Sequence, residues 1–290
     1  MPSTATWIGC VTDWPGTRTA MGNPNVSVVM GTYNAEKVVS RSIRSIQAQT
    51  LTNWEFLICD DGSSDGTLGL LQEHAREDPR IRILHHDTNR GLGASLNCCL
   101  WEAKAEFCAR QDADDWSYPH RLETQLHCFQ EESGLALIGS AIHYADENGS
   151  EWGIETPPKA SSVQDLVRGS CFAHVSVMYR RSAVLAVGGY DERVGRPDDY
   201  DLWFRMLSKY PCRNLSEALV QVRRSKGDFA RVTYRNRIRE AQVRWRGYHR
   251  IQAPLWAYIY VLKPLLIGLA PSSWLWRYHA TAKRISPKHP

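Results

Sequence analysis

The sequence Phe56-Leu-Ile-Cys-Asp-Asp61 is an apolar run that ends in two carboxylates, and Phe107-Cys-Ala-Arg-Gln-Asp-Ala-Asp114 repeats this arrangement further along the chain. Short apolar runs of this kind are typical of buried parallel strands. The carboxyl ends of parallel strands meet at one edge of a sheet, where open α/β folds bind ligands. Asp112 and Asp114, separated by one residue, offer the hard oxygen ligands that suit Mg²⁺ or Mn²⁺. The sequence therefore predicts a divalent cation at such an edge.

Strand and helix patterns alternate around these two runs. Another apolar run, Val26-Ser-Val-Val-Met-Gly-Thr32, precedes a helical stripe formed by Val39, Ile43 and Ile46. Similar β-α units continue through a strand at 81–84 and a helix that ends near Lys104. This alternation predicts the α/β class, with a doubly wound and mostly parallel sheet.

Composition divides the chain of 290 residues into three parts. Residues 1–24 are polar and rich in Gly, Pro and Thr, which predicts a flexible arm in which Met21 is a candidate for the natural start. Residues 25–225 predict the α/β domain, with regular β-α units in residues 25–118 and a less regular pattern in residues 119–225. Residues 226–290 predict an appendage of basic and amphipathic helices.

Positive charge is concentrated near the C-terminus, although the net charge of the whole chain is only +4. Between Arg223 and Arg250 there are ten Lys or Arg residues and two acids, Asp228 and Glu240. Such a segment attracts anionic partners. We expect residues 223–276 to bind an anionic membrane surface and expect no nucleic-acid partner; an oligomer is compatible with the sequence.

The apolar segment 255–269 is interrupted by Lys263 and Pro264. Each half is shorter than the roughly 20 apolar residues that a spanning helix needs. The nearby Trp256, Trp274 and Trp276 favour an element that lies in the membrane interface. The alternative is a helical pair that packs on the α/β domain. With no signal-peptide pattern at the N-terminus, we expect a cytoplasmic protein, peripheral on the inner face of the membrane.

The eight cysteines include no CxxC pair, and several lie in apolar runs. They are interpreted as buried free thiols in a reducing compartment.

Six motifs occur in order along residues 25–225. They are Val26-Ser-Val-Val-Met-Gly-Thr-Tyr-Asn34, Cys59-Asp-Asp-Gly-Ser-Ser-Asp-Gly-Thr67, Asn89-Arg-Gly-Leu92, Gln111-Asp-Ala-Asp-Asp115, Gly188-Gly-Tyr-Asp-Glu192 and Pro197-Asp-Asp-Tyr-Asp-Leu-Trp203. Together they resemble the family 2 glycosyltransferases of bacterial surface-polysaccharide synthesis, which are inverting enzymes with the GT-A fold. The resemblance implies transfer of a sugar from a nucleotide diphosphate sugar, with UDP-hexose favoured, to a lipid-linked or saccharide acceptor. It also implies that residues 25–118 form the nucleotide-sugar half of the domain and residues 119–225 the acceptor half.

The resemblance also assigns donor-binding roles. Thr32, Tyr33 and Asn34 are expected to line the nucleobase pocket. Asp60, with Asp61 nearby, is expected to accept a hydrogen bond from the base, although loop capping is the alternative for both. Arg90 and Asn97 are expected to support the nucleotide, and His174 is expected to face the phosphates or the acceptor. Ordinary packing is the alternative for all three.

The same resemblance assigns the acids that carry the chemistry. Asp112 is expected to touch both ribose and metal, and Asp114 to ligate the Mn²⁺ or Mg²⁺ that bridges the two phosphates. Asp198 and Asp199 match an acidic pair that is usually Glu-Asp, and Asp199 is the candidate general base. The alternative for this pair is a purely structural role, in which the acids stabilise a helix N-terminus.

Three further comparisons limit the function. Gln242-Val243-Arg244-Trp245 resembles the Gln-x-x-Arg-Trp element of processive synthases, but it is one residue short. We therefore expect a single addition. A nucleotidyltransferase of similar fold is disfavoured because no basic, glycine-rich phosphate loop follows the first strand. A non-catalytic nucleotide-sugar-binding membrane protein is disfavoured because all the acids needed for chemistry are present.

Overall fold

A computed structural model describes residues 22–158, 160–224 and 233–283 of the chain. The predictions for most of the N-terminal arm, including Met21 as the start, concern residues outside these ranges, as does everything after residue 283.

One mixed sheet organises the described residues. Its strand order is β3-β2-β1-β4-β9-β6-β10-β5, with β7 added to β6 and β8 added to β10. The strands are β1 Val26–Thr32, β2 Trp54–Asp60, β3 Ile81–His85, β4 Phe107–Arg110, β5 Trp116–Ser117, β6 Leu137–Ala145, β7 Glu151–Glu155, β8 Ala160–Ser161, β9 Met178–Arg180 and β10 Cys212–Arg223.

Helices connect and cover the strands. They are α1 Val39–Gln47, α2 Thr67–Glu77, α3 Leu92–Glu102, α4 Arg121–Glu131, α5 Asp165–Arg168, α6 Arg181–Ala186, α7 Asp198–Leu207, α8 Tyr234–Arg250, α9 Lys263–Ile267 and α10 Ser272–Ala282. Two 3₁₀ segments span His174–Ser176 and Leu255–Val261.

The predicted α/β class and the mostly parallel sheet are confirmed. Strands β3, β2, β1 and β4 are all parallel, and β6 pairs with β10 in parallel. The antiparallel β9 joins these two parallel groups. Strand β9 is short, since residues His174–Ser176 before it form a 3₁₀ turn and only Met178–Arg180 pairs in the sheet.

Buried side chains cover both faces of the sheet. In β1 and β2, Val29 and Leu57 belong to one core, whereas Val28 and Phe56 belong to the opposite core. This alternation follows from the two-residue side-chain period of a strand. Because both faces are covered, the middle of each of these two strands is apolar, and polar residues such as Ser27, Thr32, Glu55 and Asp60 lie near the strand ends.

Part of the C-terminal region packs on the α/β domain, which is one of the two arrangements that the sequence left open. Val243, Tyr248 and Ala257 are fully buried in the larger core, so α8 and the following 3₁₀ turn pack on the domain. Other apolar side chains of this region face outward, with Leu255 90% and Leu269 73% exposed. No helix within the described ranges is long and apolar enough to cross a membrane.

The cysteine prediction holds at six positions and is wrong at one. Six buried cysteines are free thiols, at positions 59, 99, 108, 128, 171 and 212. Cys98 is instead disulfide-bonded. Cys10 lies outside the described residues.

Candidate active site

A cavity of about 930 Å³ opens at the carboxyl ends of β1 and β4, and we call it the acidic cavity. Its wall includes eight of the residues singled out in the sequence: Thr32, Tyr33, Asn34, Asp61, Arg90, Asp112, Asp114 and Asp198. Parallel strands deliver their following loops to the same edge, which explains how residues so far apart in sequence meet.

The loop after β1 is tied to the loop after β2. The backbone N–H of Asn34 donates to Ser63 Oγ at 2.9 Å, and the Asn34 side chain accepts from the Ser64 N–H at 2.9 Å. Asn34 has φ of 49°, a left-handed conformation in which Asn is enriched. The hydroxyl of Thr32 is buried without a hydrogen-bond partner among the described residues, and Tyr33 is 50% exposed. This wall therefore combines a hydroxyl group that has no hydrogen-bond partner among the described residues, on Thr32, with the exposed ring of Tyr33.

The two aspartates after β2 have different surroundings. Asp61 lines the cavity and accepts from the backbone N–H groups of Arg90 at 2.9 Å and Gly91 at 2.7 Å. Asp60 does not line the cavity, and its Oδ2 accepts from Ser63 N–H at 3.1 Å. Its Oδ1 is buried without a partner within the described part of the chain, so an acceptor atom remains for a ligand.

Hydrogen bonds to Asp61 also set its protonation. Burial alone would raise the pKa of Asp61, but hydrogen bonds from His86 and from the Arg90 and Gly91 amides lower it overall. Asp61 is therefore a carboxylate that holds the glycine loop before α3.

Arg90 and Asn97 converge on Glu192, a residue that sequence reasoning assigned no role. Arg90 Nη2 lies 3.5 Å from one Glu192 oxygen, and Asn97 Nδ2 donates to the other at 3.2 Å. Asn97 is buried outside the cavity wall, where it also accepts from the Tyr190 N–H at 2.8 Å. Asn97 thus supports the Gly188–Gly189–Tyr190 turn, while Arg90 and Glu192 reach the cavity. Glu192 is the last residue of the motif Gly188-Gly-Tyr-Asp-Glu192.

The acidic turn after β4 is built over a buried arginine, which is the main residue that sequence reasoning missed. Arg110 is the last residue of β4 and is 1% exposed, and it forms an ion pair with Asp112. Burial would lower the pKa of Arg110, but the ion pair with Asp112 raises it overall, so the guanidinium stays charged. The sequence did contain a sign of this residue: an arginine at the end of an apolar strand, two positions before the first acid of the turn.

The third acid of the turn, Asp115, is buried beneath the other two. Its Oδ1 accepts the backbone N–H of Arg223 at 2.9 Å. Burial, followed by the charges of Asp112 and Asp114, raises the pKa of Asp115 well above its usual range. Three carboxyl groups this close repel one another when they are all ionised.

The donor set of this turn fits a divalent ion. Asp112 is 34% exposed at its side chain and lines the cavity together with Asp114. Two hard oxygen donors that face an open cavity leave further coordination positions for water and substrate phosphate, which is how Mg²⁺ is usually held. The mutual repulsion of these acids is what a cation would relieve.

Asp198 and Asp199 open α7, and only Asp198 lines the acidic cavity. Asp198 is 7% exposed. Burial and the neighbouring Asp199 raise the pKa of Asp198 to about 7, although Arg110 opposes the change. Asp199 is more exposed and has a pKa raised mainly by burial, which Arg110 again opposes. The charge of Arg110 therefore reaches both the acidic turn and this pair.

Asp199, the candidate base, lies outside the wall of the acidic cavity. Burial is the first cause of the raised pKa of Asp199, and the charge of Glu240 on α8 adds to it.

His174 is also outside the cavity wall. Its Nε2 lies 2.8 Å from the Tyr190 hydroxyl. Burial and the charge of Arg110 hold the pKa of His174 well below its usual value, so the imidazole is neutral. This geometry favours a role in positioning the turn before α7 over direct contact with phosphate.

The family model described as Glycosyl transferase family 2 matches residues 27–188, more than half of the chain. The chain is a family 2 glycosyltransferase. The putative glycosyltransferase EpsE of Bacillus subtilis is 37% identical over 260 residues, which is 88% of this chain and 93% of that protein. An Escherichia coli protein, the UDP-Glc:alpha-D-GlcNAc-diphosphoundecaprenol beta-1,3-glucosyltransferase WfgD, is 30% identical over 63% of this chain and 69% of its own length.

A solved structure confirms the GT-A type of fold. The crystal structure of S. aureus TarS 1-349 in complex with UDP-GlcNAc has a TM-score of 0.64 and covers 84% of this glycosyltransferase and 71% of its own chain. Its sequence identity is 18%, so this likeness concerns the fold alone.

Proposed function

We propose that this glycosyltransferase transfers a single sugar, with inversion, from a nucleotide diphosphate sugar to a lipid-linked or saccharide acceptor in polysaccharide biosynthesis. The observation that carries the proposal is a single cavity lined by Asp112 and Asp114 on one wall and Asp198 on another. UDP-hexose is the expected donor; the relatives named above include one that acts on UDP-Glc and one whose structure holds UDP-GlcNAc.

The donor half would use the loops after β1, β2 and β4. Thr32, Tyr33 and Asn34 form the wall proposed to hold the base, and the free Asp60 Oδ1 is an acceptor beside it. Asp112 and Asp114 are the proposed ligands of Mn²⁺ or Mg²⁺, which would act as a Lewis acid that stabilises the charge growing on the departing diphosphate. Arg110 would hold Asp112 in place from below.

The acceptor half needs a base to accept the proton of the attacking hydroxyl. We propose that Asp199 removes this proton while the hydroxyl oxygen bonds to C1 and the C1–O bond to the diphosphate breaks on the opposite face. Asp198 lines the donor cavity, whereas Asp199, the next residue of α7, does not. Asp198, with a pKa raised to about 7, is proposed to position donor hydroxyls.

The C-terminal region is proposed to hold the enzyme on the inner face of the membrane. The 3₁₀ turn and α9 expose Leu255, Ile259, Leu262 and Leu266, and α8 beside them carries the basic residues. Apolar side chains next to cations suit an anionic lipid surface, where each basic residue contributes about 1 kcal/mol.

Metal-dependent turnover of a panel of nucleotide sugars tests the activity. We expect hydrolysis or transfer with one donor in the presence of Mn²⁺ or Mg²⁺.

Asp199→Asn should lower transfer about 100-fold or more while donor binding changes little, because only the proton acceptor is lost. Unchanged transfer in this variant contradicts the assignment of the base. Pyrophosphate release from a nucleoside triphosphate would instead indicate a nucleotidyltransferase, and donor binding without turnover a non-catalytic protein.

Flotation with anionic vesicles tests the membrane contact. A variant with serine at positions 255, 259 and 266 keeps the buried Ala257 and should float less than the wild type. Equal flotation of the two proteins contradicts the membrane contact.

A further inference from the structure

A second cavity, of about 680 Å³, runs along α8, and we call it the basic groove. One wall is a helical stripe at i, i+4, i+7, i+8 and i+11, formed by Tyr234, Ile238, Ala241, Gln242 and Trp245. The opposite wall contains Val261 and Leu265 from the segments after α8. Trp245 is 52% exposed and is held at its edge by Tyr258, whose ring centroid lies 5.2 Å away. The groove is therefore a preformed apolar channel.

Two arginines in this apolar channel have no ion-pair partner in the described part of the chain. They are Arg239 and Arg246, which lie seven residues apart, or about 10 Å along one face of α8. Other arginines nearby are already paired. Arg193, at the rim, contacts Asp191 at 2.9 Å, and Arg244 contacts Glu240 at 3.0 Å. The groove thus offers two uncompensated cations beside aromatic and aliphatic surface.

The groove adjoins the acidic cavity through one short loop. Arg193 and Val194 line the groove, whereas Gly195, Arg196 and Asp198 line the acidic cavity. A methyl group placed at Gly195 would lie 2.9 Å from Arg239 Nη1, so this guanidinium touches the loop between the two cavities. Asp199 and Glu240 are electrostatic neighbours across the same boundary. A ligand bound at Arg239 would therefore lie next to the loop that leads to Asp198 and Asp199.

We propose that the basic groove binds the lipid-diphosphate end of the acceptor. Arg239 and Arg246 would hold the diphosphate, and the wall formed by Ile238, Trp245, Val261 and Leu265 would contact the first part of the hydrocarbon chain. The acceptor sugar, joined to that diphosphate, would extend over the 195–199 loop toward Asp199. This assignment rests on the proposed function, and it selects the lipid-linked acceptor over a free saccharide. Charge complementarity and an apolar wall next to the charges are the features that select this chemistry.

Binding of a short soluble probe tests the groove directly. Farnesyl diphosphate combines an apolar chain with a diphosphate and can be titrated calorimetrically into the full chain, in EDTA and without nucleotide. Inorganic diphosphate and farnesol each carry half of these features, so we expect both to bind at least about tenfold more weakly. Arg239→Gln and Arg246→Gln should each weaken farnesyl diphosphate binding about tenfold, since each removes one charge-assisted contact.

Arg235→Gln is the matched control, because Arg235 is an exposed arginine of α8 that does not line the groove. It should leave farnesyl diphosphate binding within about twofold of the wild type. Trp245→Ala, which keeps both arginines, should remove the advantage of farnesyl diphosphate over inorganic diphosphate. Equal losses in the Arg235 and Arg239 variants overturn the proposal, as does equal binding of inorganic and farnesyl diphosphate.

A repeat of the titration with saturating UDP and Mg²⁺ separates this proposal from the proposed function. Farnesyl diphosphate binding that persists under these conditions supports a separate groove. Competition by UDP would mean that the probe occupies the acidic cavity, which overturns the groove but leaves the donor site intact. Competition by anionic phospholipid vesicles, with equal effects of all three arginine variants, would identify a general membrane contact and also overturn it. Failure of UDP to bind would count against the donor assignment alone.

Discussion

The acidic cavity and the basic groove lie on two sides of one loop, but they carry opposite charges. Carboxylates line the cavity, and arginines line the groove. The cavity has carboxylates at strand ends beside a buried arginine. The groove has two arginines in an apolar helix surface that find no ion-pair partner within residues 22–158, 160–224 and 233–283. In the proposed function, charge develops on the donor diphosphate during the reaction, so a metal held by acids stabilises the transition state. An acceptor diphosphate keeps its charge throughout, and direct contact with arginine is enough to bind it.

Removing Asp114, a proposed metal ligand, should have the largest effect on activity. We expect Asp114→Asn to lower transfer about 100-fold to 1,000-fold, because the leaving group loses its electrostatic stabilisation. EDTA should have the same effect on the wild type, and little further effect on the variant. Transfer is measured with the active nucleotide sugar. Asp87→Asn is the control, since that aspartate is 84% exposed. An active Asp114 variant that still responds to EDTA would place the metal elsewhere.

The protonation of Asp198 should make the stability of the protein depend on pH. Its pKa is about 7 in the folded state and 3.8 as the ordinary value, so the folded protein binds the proton more tightly. Stability attributable to Asp198 therefore falls as the pH rises from about 4 to 7.

Asp198→Asn removes this cost, which is on the order of 4 kcal/mol above pH 7. The variant should gain thermal stability over the wild type, and its gain in Tm should be larger at pH 8 than at pH 5. Thermal unfolding at the two pH values, with Asp87→Asn as the control, provides the measurement. A gain that does not depend on pH would contradict the raised pKa.

The packing of α8 should show a smaller effect. A methyl group at Gly247 would lie 2.4 Å from the buried Phe204 ring, so Gly247→Ala should destabilise the fold by about 1–3 kcal/mol. Gly69→Ala is the matched control on α2, where nothing lies within 4 Å of the added methyl. That change should stabilise by about 0.5–1 kcal/mol, because alanine favours a helix. Denaturant unfolding measures both. Equal effects would mean that α8 does not pack tightly on α7.

The first half of the domain was predictable because its signals are local. Each strand from β1 to β4 is a continuous apolar run followed by a loop with Asp, Asn or Gly, and the sheet topology brings those loops together. The second half follows a different rule. Strand β9 has three residues and is preceded by a 3₁₀ turn, and its position depends on pairing with β4 and β6, which are distant in sequence.

The candidate site divides in a similar way. The sequence named the acids, but it did not distinguish Asp60, buried behind its loop, from Asp61 in the cavity wall. It also left open whether His174 faces the phosphates, faces the acceptor or has a packing role, and the structure joins its ring to the Tyr190 hydroxyl. Such distinctions depend on where a side chain points, and for adjacent residues the motif alone contains no information about this.

The amino-acid sequence by itself determined the α/β class, the family and the acidic motifs, because apolar periodicity and the residues at strand ends are properties of short segments. Only the tertiary structure decided that Arg110 is buried and pairs with Asp112, that Asp198 lines the acidic cavity whereas Asp199 does not, and that two arginines in the apolar groove have no ion-pair partner among the described residues. These features depend on burial and on contacts between distant segments, which form when the sheet and α8 pack together.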